Sequence, residues 1–271
     1  MFPFLDLKII KIPMYGLCIL AGLIIAFIIS YFLIRLEKKC FWDFVILSAM
    51  AGAFGVLFSK ILYILVTYPV KDFFRIFISV IIGKDKSNLF GGFVFYGGII
   101  GGLIGLILGK YIAHCKLSDY IDLFGLLVPL VHSFGRVGCF CAGCCYGIRY
   151  DGIFSVKYTN PLSSVPTGVG IFPVQLLESL LVFILFLILL FLYLKGKKNI
   201  IFIYLISYGI IRFFTEFLRY DNERGLIFGI SISQYIIIFL IIFSIVCLII
   251  KKIKAPAKNN AGAFFLFSKK T

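Results

Sequence analysis

Charged residues are scarce in this sequence: Asp, Glu, Lys and Arg make up only 14% of its 271 residues, while hydrophobic residues make up 62%. An ordinary soluble domain has about half apolar residues and about a quarter charged ones. This shortage of charge excludes an ordinary soluble globular fold. It predicts instead an integral membrane protein with several spans.

Acidic residues are few as well, since Asp and Glu number 12 against 27 Lys and Arg, and the formal net charge is +15. Lys and Arg accumulate in the cytoplasmic loops of membrane proteins, beside anionic lipid head groups. The imbalance therefore indicates membrane topology. We expect no nucleic-acid binding, because the basic residues are scattered among loops. We also expect no cleavable signal peptide, since the first apolar run is too long and no small-residue cleavage site follows it.

Long apolar runs, by contrast, recur along the chain. A membrane-spanning helix needs about 20 mostly apolar residues. Seven stretches meet this requirement, at 14–34, 44–67, 91–113, 119–137, 173–194, 200–218 and 231–250. A shorter apolar segment at 72–82 has polar neighbours and predicts an interfacial amphipathic helix. The predicted fold class is an all-α integral membrane protein of about seven transmembrane helices over residues 1–250, with a basic cytoplasmic tail over 251–271.

Basic residues set the expected orientation. They are dense in four short alternating connections, at 35–39, 110–116, 195–198 and 251–258, and more dispersed in the other loops. The positive-inside rule places these four segments, and with them the C-terminus, in the cytoplasm. The N-terminus and the long connection at 148–172 then lie outside. That connection, which contains Gly, Pro, Ser and Thr, predicts a small extracytoplasmic loop region.

Ionisable residues inside the predicted spans are costly in lipid and tend to face a cavity or a substrate path. Four such positions stand out, and they are Lys60, Arg136, Arg212 and Glu216. Arg212 and Glu216 share a helix face, so they either form only an ion pair or, with Arg219 on the same stripe, bind an anion. If Arg136 and Arg212 converge, the simplest partner is a phospholipid head group, because the arginine fork suits phosphate. Lys60 either joins this cluster or extends to the interface.

Glycine is concentrated in the third predicted span, where Gly97, Gly101 and Gly105 recur at four-residue spacing. Small residues at this spacing let two helices approach closely in lipid, so we interpret them as structural. Tyr96 precedes them. Its hydroxyl needs a polar partner, so Tyr96 is either an interfacial aromatic or a group that faces a cavity.

Four of the eight cysteines lie close together, at positions 139, 141, 144 and 145 in the stretch HSFGRVGCFCAGCCYG at 132–147. We rank three interpretations of this cluster: small side chains packed in a tight turn, then disulfides, then a metal site. The metal interpretation would use the Cys141-x-x-Cys144 spacing with His132 as a further ligand, but no second such pair follows. We therefore expect neither a metal nor another cofactor.

Several short motifs occur in an order that resembles the prolipoprotein diacylglyceryl transferases of bacterial membranes. MYGL at 14–17 resembles the YGL of that family's first helix, and FYGG at 95–98 resembles its FHGG. GRVGCF at 135–140 resembles the GRxGNF that opens the family signature, and PVQLLE at 173–178 resembles its HPxQLYE. YGIIRFFTEFLR at 208–219 resembles its RFxxEFxR helix, and Gln234 matches the glutamine that begins its last span. The resemblance runs through most of the chain, and the order and spacing together are specific.

The chain departs from the family pattern at several signature positions. Cys139 and Cys144 stand where the family has Asn and Glu, and Tyr96 and Phe172 stand where it has His. Both arginines that the resemblance assigns to the lipid phosphate are kept. The sequence therefore resembles a divergent, cysteine-rich branch of the family.

The resemblance implies a reaction in the bacterial plasma membrane, where this chain would be a multi-pass protein surrounded by membrane lipid. A diacylglyceryl group would move from phosphatidylglycerol to the thiol of the lipobox cysteine in a prolipoprotein signal peptide, releasing glycerol phosphate. Arg136 and Arg212 would stabilise the departing phosphate. The thiol needs a general base. Tyr96 stands at the aligned position, and His132 is a substitute base or simply a histidine hydrogen-bonded in the bundle.

The same resemblance assigns four further residues to substrate binding: Tyr15, Gln175, Glu216 and Arg219. Glu216 is expected to orient Arg212. Two alternatives stay open. One is a family member with an altered lipid donor or acceptor, since the Asn and Glu of the signature are replaced. The other is a non-catalytic or metal-binding membrane protein that uses the cysteine cluster. A transporter is less favoured, because neither paired broken helices nor repeat symmetry is evident.

Overall fold

The computed structural model describes residues 4–6, 11–82, 94–159, 165–220, 226–227 and 230–267. Its helices are α1, Met14–Leu36; α2, Phe41–Thr67; α3, Phe73–Ile81; α4, Phe95–Ile112; α5, Ile121–Ala142; α6, Val174–Leu194; α7, Ile200–Thr215; and α8, Ile232–Phe267. All but the short α3 overlap predicted spans, and α8 continues well beyond the span predicted at 231–250. Among the described residues, six helical segments are long and apolar enough to cross a membrane, α7 qualifying together with the 3-10 turn at Glu216–Leu218, and the apolar segment in α4 is shorter. The predicted all-α membrane fold of about seven helices is confirmed.

The other elements are short. Single 3-10 turns lie at Val70–Asp72, Leu117–Asp119 and Glu216–Leu218. Antiparallel two-stranded ladders join β1 (Phe4–Asp6) to β2 (Lys11–Pro13), β3 (Val156–Lys157) to β4 (Gly170–Ile171), and β5 (Leu226–Ile227) to β6 (Ile230–Ser231). The predicted helix at 72–82 is present as the strongly amphipathic α3. Its interfacial position stays a prediction, as does the cytoplasmic location of residues 251–271, of which α8 includes those up to Phe267.

The chain forms two compact units, and the segment Tyr31–Tyr120 is one of them. Inside it, α2 and α4 pack along the glycine stripe. A Cβ atom on Gly101 would lie 2.1 Å from the carbonyl oxygen of Phe54, and one on Gly105 would lie 2.3 Å from that of Met50. Both distances are far below van der Waals contact, so only glycine fits. The predicted close helix approach is confirmed.

The second unit contains the residues up to Ser30 together with those from Ile121 onward. In it α5 packs against α6 and α7, and α7 packs against α8. The Asp122 carboxylate fixes the start of α7, because it accepts hydrogen bonds from the backbone N–H groups of Asn199 (2.9 Å) and Ile201 (3.3 Å). Gly125 leaves room for this approach, since a Cβ there would lie 2.5 Å from Ile201 Cα.

The connection between α5 and α6 forms a small folded region in the same unit. β3 and β4 pair within it, and Tyr158, Val165 and Ile171 make a buried apolar core. The segment around Gly147 is extended and bridges Arg219, at the end of α7 and its 3-10 turn. The described residues of the predicted loop region at 148–172, which are 148–159 and 165–172, are therefore tied to the helices, while its extracytoplasmic side stays a prediction.

Candidate active site

The Glu178 carboxylate lies at the centre of a buried ionic cluster, which we call the arginine cluster: Arg136, Glu178, Arg212, Glu216 and Arg219. Glu178 is on the second turn of α6 and is 1% exposed. Its Oε1 accepts a hydrogen bond from Arg136 Nη2 of α5 at 2.8 Å, and its Oε2 accepts one from Arg212 Nη1 of α7 at 3.1 Å. Since a buried carboxylate is costly unless paired, these two contacts account for its position.

Glu216 supplies the second carboxylate of the arginine cluster. Its Oε2 lies 2.7 Å from Arg212 Nη2 and 3.8 Å from Arg219 Nη1. The ion pair predicted from the four-residue spacing is confirmed, and the convergence of Arg136 and Arg212 is confirmed by their shared partner. Three guanidinium groups face two carboxylates, so the arginine cluster carries one net positive charge. That charge complements a single phosphodiester anion.

Arg136 keeps one hydrogen-bond donor unused. Within the described part of the chain, its buried Nε has no hydrogen-bond partner. A buried donor without an acceptor is unusual in native structures and calls for an explanation. An anion bound beside Arg136 would supply the missing acceptor.

His132 and Tyr208 adjoin the same carboxylate. His132 lies one turn before Arg136 on α5, and its Nε2 is 3.8 Å from Glu178 Oε1. The Tyr208 hydroxyl of α7 donates to the same oxygen at 3.3 Å. The two rings meet edge to face with their centres 4.8 Å apart. His132 and Tyr208 therefore lie beside the arginine cluster, on the side of Glu178 Oε1.

Sequence analysis missed Glu178 and Tyr208 as site residues. Glu178 is the last residue of the PVQLLE motif at 173–178 and lies within the predicted span 173–194. A carboxylate at such a place was the signal that could have identified it. Tyr208 carries no such signal, because tyrosine is ordinary in membrane helices. Its role follows only from its distance to Glu178.

Gln175 ties the loop between α5 and α6 to the start of α6. It is 1% exposed, and its amide nitrogen donates to the Cys144 carbonyl at 2.8 Å and to the Tyr158 hydroxyl at 3.4 Å. Burial raises the pKa of Tyr158 to about 12, so its hydroxyl stays protonated at neutral pH. Gln175 therefore fixes the backbone beside the cysteines.

The cysteines are brought together by the way α5 ends. Gly143 has a left-handed φ of 70°, and the N–H groups of Gly143 and Cys144 donate back to the carbonyls of Phe140 and Cys139. This is a Schellman ending, which folds the chain back over the last turn. It places Cys144 against Cys139, and the left-handed Cys145, with φ of 55°, completes the group.

The sulfur atoms of Cys139, Cys144 and Cys145 all lie within 4.8 Å of one another, and we call these residues the thiol trio. Cys141, which the third-ranked metal interpretation combined with Cys144, is outside it. All eight cysteines are free thiols. Hydrogen bonds from its two trio partners, together with Arg219 and Arg136, lower the pKa of Cys145.

The remaining predicted residues fall in both units. The Tyr15 ring, 43% exposed, packs on Gly138 and lies in electrostatic range of Arg136. Tyr96 is half-buried on the first turn of α4, in the Tyr31–Tyr120 unit. Lys60, in the same unit, is 7% exposed, and its ammonium lies 5.4 Å from the centre of the Tyr63 ring.

Fold and site together define a multi-pass membrane protein whose helices hold a buried arginine–carboxylate cluster suited to an anion. The sequence model of the family described as prolipoprotein diacylglyceryl transferase matches residues 3–250. The chain belongs to this family.

Curated relatives cover nearly the whole chain. The phosphatidylglycerol–prolipoprotein diacylglyceryl transferase of Clostridium tetani is 37% identical over 246 residues, which are 87% of this chain and 92% of that protein. Phosphatidylglycerol–prolipoprotein diacylglyceryl transferase 2 of Clostridium perfringens is 35% identical over 266 residues, 93% and 95% of the two chains. The Dehalococcoides mccartyi transferase of the same name is 28% identical over 234 residues.

Proposed function

We infer that this chain transfers a diacylglyceryl group from phosphatidylglycerol to the lipobox cysteine thiol of a prolipoprotein. The observation that carries this proposal is the convergence of Arg136 and Arg212 on the Glu178 carboxylate. Family membership supports it, since the relatives are named for this donor and acceptor.

In this proposal the arginine cluster binds the lipid phosphate. The net positive charge and the unused Nε of Arg136 favour an anion at this place. As the bond between glyceryl carbon and phosphate oxygen breaks, negative charge grows on the phosphate, and fixed guanidinium groups stabilise that charge without reorganising. Glu178 and Glu216 act as positioning residues, because they hold Arg212 from both sides.

An apolar groove between α5 and α6 provides a place for an acyl chain. It has a volume of about 320 Å³ and is lined mainly by Phe134, Val137, Leu176, Leu180 and Phe183. The groove lies on the two helices that carry Arg136 and Glu178. A lipid with its phosphate at the arginine cluster can therefore place one chain along apolar side chains.

Two residues are candidates for the base that takes the thiol proton. His132 is favoured by its position 3.8 Å from Glu178, within the arginine cluster. Tyr96 is the other candidate, at the position where the family has His. Replacing each in turn, His132→Asn and Tyr96→Phe, assigns the role to the residue whose loss lowers the transfer rate without weakening phosphatidylglycerol binding.

The remaining predicted site residues act around this centre. Arg219 forms an ion pair with Glu216 and so contributes positive charge to the arginine cluster. Tyr15 packs beside Gly138, where it would contact a substrate that enters the site. Gln175 acts indirectly, by holding the Cys144 carbonyl.

The test is transfer of labelled diacylglyceryl from phosphatidylglycerol to a lipobox peptide by purified protein. Arg136→Ala and Arg212→Ala should each lower the rate by about 100-fold or more, because loss of one donor to a developing anion costs roughly 3–4 kcal/mol. Arg149→Ala is the matched control, since Arg149 is exposed in the loop. Folded wild-type protein that binds phosphatidylglycerol but transfers nothing would overturn this activity and favour an altered donor or acceptor.

The proposal places the C-terminus in the cytoplasm and the loop between α5 and α6 outside the bacterial plasma membrane. Ile153 is 96% exposed in that loop, and Cys40 is exposed between α1 and α2. A membrane-impermeant thiol reagent should label an Ile153→Cys variant in intact cells and reach Cys40 only after lysis. The reverse labelling pattern would overturn the orientation.

A further inference from the structure

We propose that the thiol trio binds a thiophilic metal ion such as Zn²⁺, with three cysteine sulfurs as ligands and the acceptor cysteine thiol in the fourth position. This inference rests on the proposed transferase function for its fourth ligand. The metal site itself stands on the geometry of Cys139, Cys144 and Cys145.

The distances in the thiol trio fit such an ion. Thiolates bind zinc at about 2.3 Å, so three of them around one tetrahedral ion lie about 3.8 Å apart. The three sulfurs are already within 4.8 Å of one another, and closing the difference needs only small side-chain rotations. Three thiols are thus held by one short turn, close to the arrangement that a metal requires.

The surroundings of the thiol trio fit the charge of the complex. Three thiolates and one Zn²⁺ carry one net negative charge, and a fourth thiolate makes two. Arg136 and Arg219 both lie in electrostatic range of Cys145 and stabilise that charge. Gln175 holds the Cys144 carbonyl at 2.8 Å, which is the kind of outer contact that fixes the orientation of a ligand.

The partial exposure of the thiol trio leaves the fourth coordination position of the metal open to a substrate thiol. Cys139 is 8% exposed, whereas Cys144 and Cys145 are half-buried. Zinc sites with three protein ligands and one exchangeable position are typical of catalysis, while structural zinc sites use four protein ligands. The described residues offer three thiols and no fourth His, Cys, Asp or Glu within the same distance.

A metal at this place would assist the base that takes the thiol proton. A thiol that coordinates a metal loses its proton, so the acceptor cysteine binds as a thiolate. Its sulfur then forms a bond to the glyceryl carbon. The bond from that carbon to the phosphate oxygen breaks, and its electron pair stays on the phosphate held by Arg136 and Arg212. The thiol proton passes to the base, for which His132 and Tyr96 are the candidates, and no atom changes oxidation state.

The first experiment measures metal content. Protein purified in detergent under reducing conditions and supplied with Zn²⁺ should retain one ion per chain after removal of free metal. Cys139→Ser, Cys144→Ser and Cys145→Ser should each lower retention by about tenfold or more, since loss of an outer contact alone costs about that much. Cys141→Ser is the matched control and should keep the ion. Equal retention in all four variants, or none in wild-type protein, overturns the site.

The second experiment follows the fourth ligand with Co²⁺ in place of Zn²⁺. Thiolate coordination gives cobalt a charge-transfer absorption that requires no enzyme activity to observe. A lipobox peptide with its cysteine should increase this absorption, whereas the same peptide with serine should leave it unchanged. An identical response to both peptides overturns the substrate-binding position. A disulfide within the thiol trio, detected by mass spectrometry in active protein, overturns the whole proposal.

The two functions fail separately in these tests. Transfer activity without bound metal would leave the transferase intact and remove the metal site. Bound metal that responds to the thiol peptide, without transfer from phosphatidylglycerol, would leave the metal site and remove the proposed donor.

Discussion

Replacing Glu178 by Gln would remove the shared counter-ion of two buried arginines while changing the side-chain volume very little. The carboxylate accepts from Arg136 through Oε1 and from Arg212 through Oε2. An amide offers one oxygen and one NH₂ group, and NH₂ cannot accept a hydrogen bond from a guanidinium. One arginine therefore loses its partner, and the net charge of the arginine cluster rises from one to two.

The cost can be worked from burial. Removing one partner of a buried ion pair costs about 3–5 kcal/mol, because the other charge is left uncompensated. For a chain of this size, each kcal/mol lowers the melting temperature by about 2–4 °C. We expect Glu178→Gln to melt roughly 10 °C below the wild-type protein in detergent. Phosphatidylglycerol should restore part of this loss, since its phosphate can replace the missing negative charge.

The assay is thermal unfolding of purified protein, with and without phosphatidylglycerol. Glu37→Gln provides the matched control, because Glu37 pairs with Lys39 at 2.5 Å and both side chains are about a third exposed. A surface pair of this kind contributes about 0–1 kcal/mol, so this variant should melt within a few degrees of wild type. Equal melting temperatures for the two variants would refute the central role of Glu178.

Two further predictions concern packing and the arginine fork. Gly101→Ala would place its Cβ 2.1 Å from Phe54 O, whereas the nearest atom to a Cβ on Gly102 is 3.8 Å away. Gly101→Ala should therefore lower the yield and the melting temperature of folded protein. Gly102→Ala should leave both near wild type. Equal effects of the two substitutions would contradict the packing of α4 against α2. Arg212→Lys should lower transfer about tenfold or more, because one ammonium cannot make the forked contacts that join Arg212 to two carboxylates. A wild-type transfer rate in this variant would refute the need for a forked guanidinium at position 212. Phosphatidylglycerol binding, measured on the same protein, distinguishes a loss of lipid affinity from a slower transfer step.

The helices could be predicted from the sequence because lipid imposes a simple length rule. Residues 173–194, for example, are almost entirely apolar, and α6 runs from Val174 to Leu194. The close helix approach at Gly101 and Gly105 could be predicted from their spacing, since residues four apart share a helix face, but the spacing did not identify α2 as the partner. Local patterns of this kind need no knowledge of the rest of the fold.

The arginine cluster could be predicted only in part. The Arg212–Glu216 pair is local, four residues apart on one helix, and was predictable. Glu178 meets Arg136 across 42 residues and Arg212 across 34, so these contacts depend on how three helices pack. No periodicity in the sequence encodes that packing.

The thiol trio shows a different limit. The CxxC spacing favoured Cys141 with Cys144, as in many metal sites. The Schellman ending at Gly143 instead folds Cys144 back to Cys139, five residues earlier. A glycine near the end of a helix predicts such an ending in general. The direction in which the following cysteines then project depends on the left-handed backbone of Cys145.

The order in which the charges leave the ribosome has a consequence for biogenesis. Arg136 on α5 is synthesised 42 residues before its carboxylate on α6, and Arg212 follows on α7. A lone arginine at the centre of an inserting helix costs about 2.5–3.5 kcal/mol, and Arg136 and Arg212, which lie toward the C-terminal ends of α5 and α7, each cost less than that. Arg136 therefore gains its counter-charge only when Glu178 has been synthesised, and α5 is more stable in the bilayer after α6 has packed against it. A chain that stops before α6 would leave Arg136 exposed to lipid and open to membrane proteases.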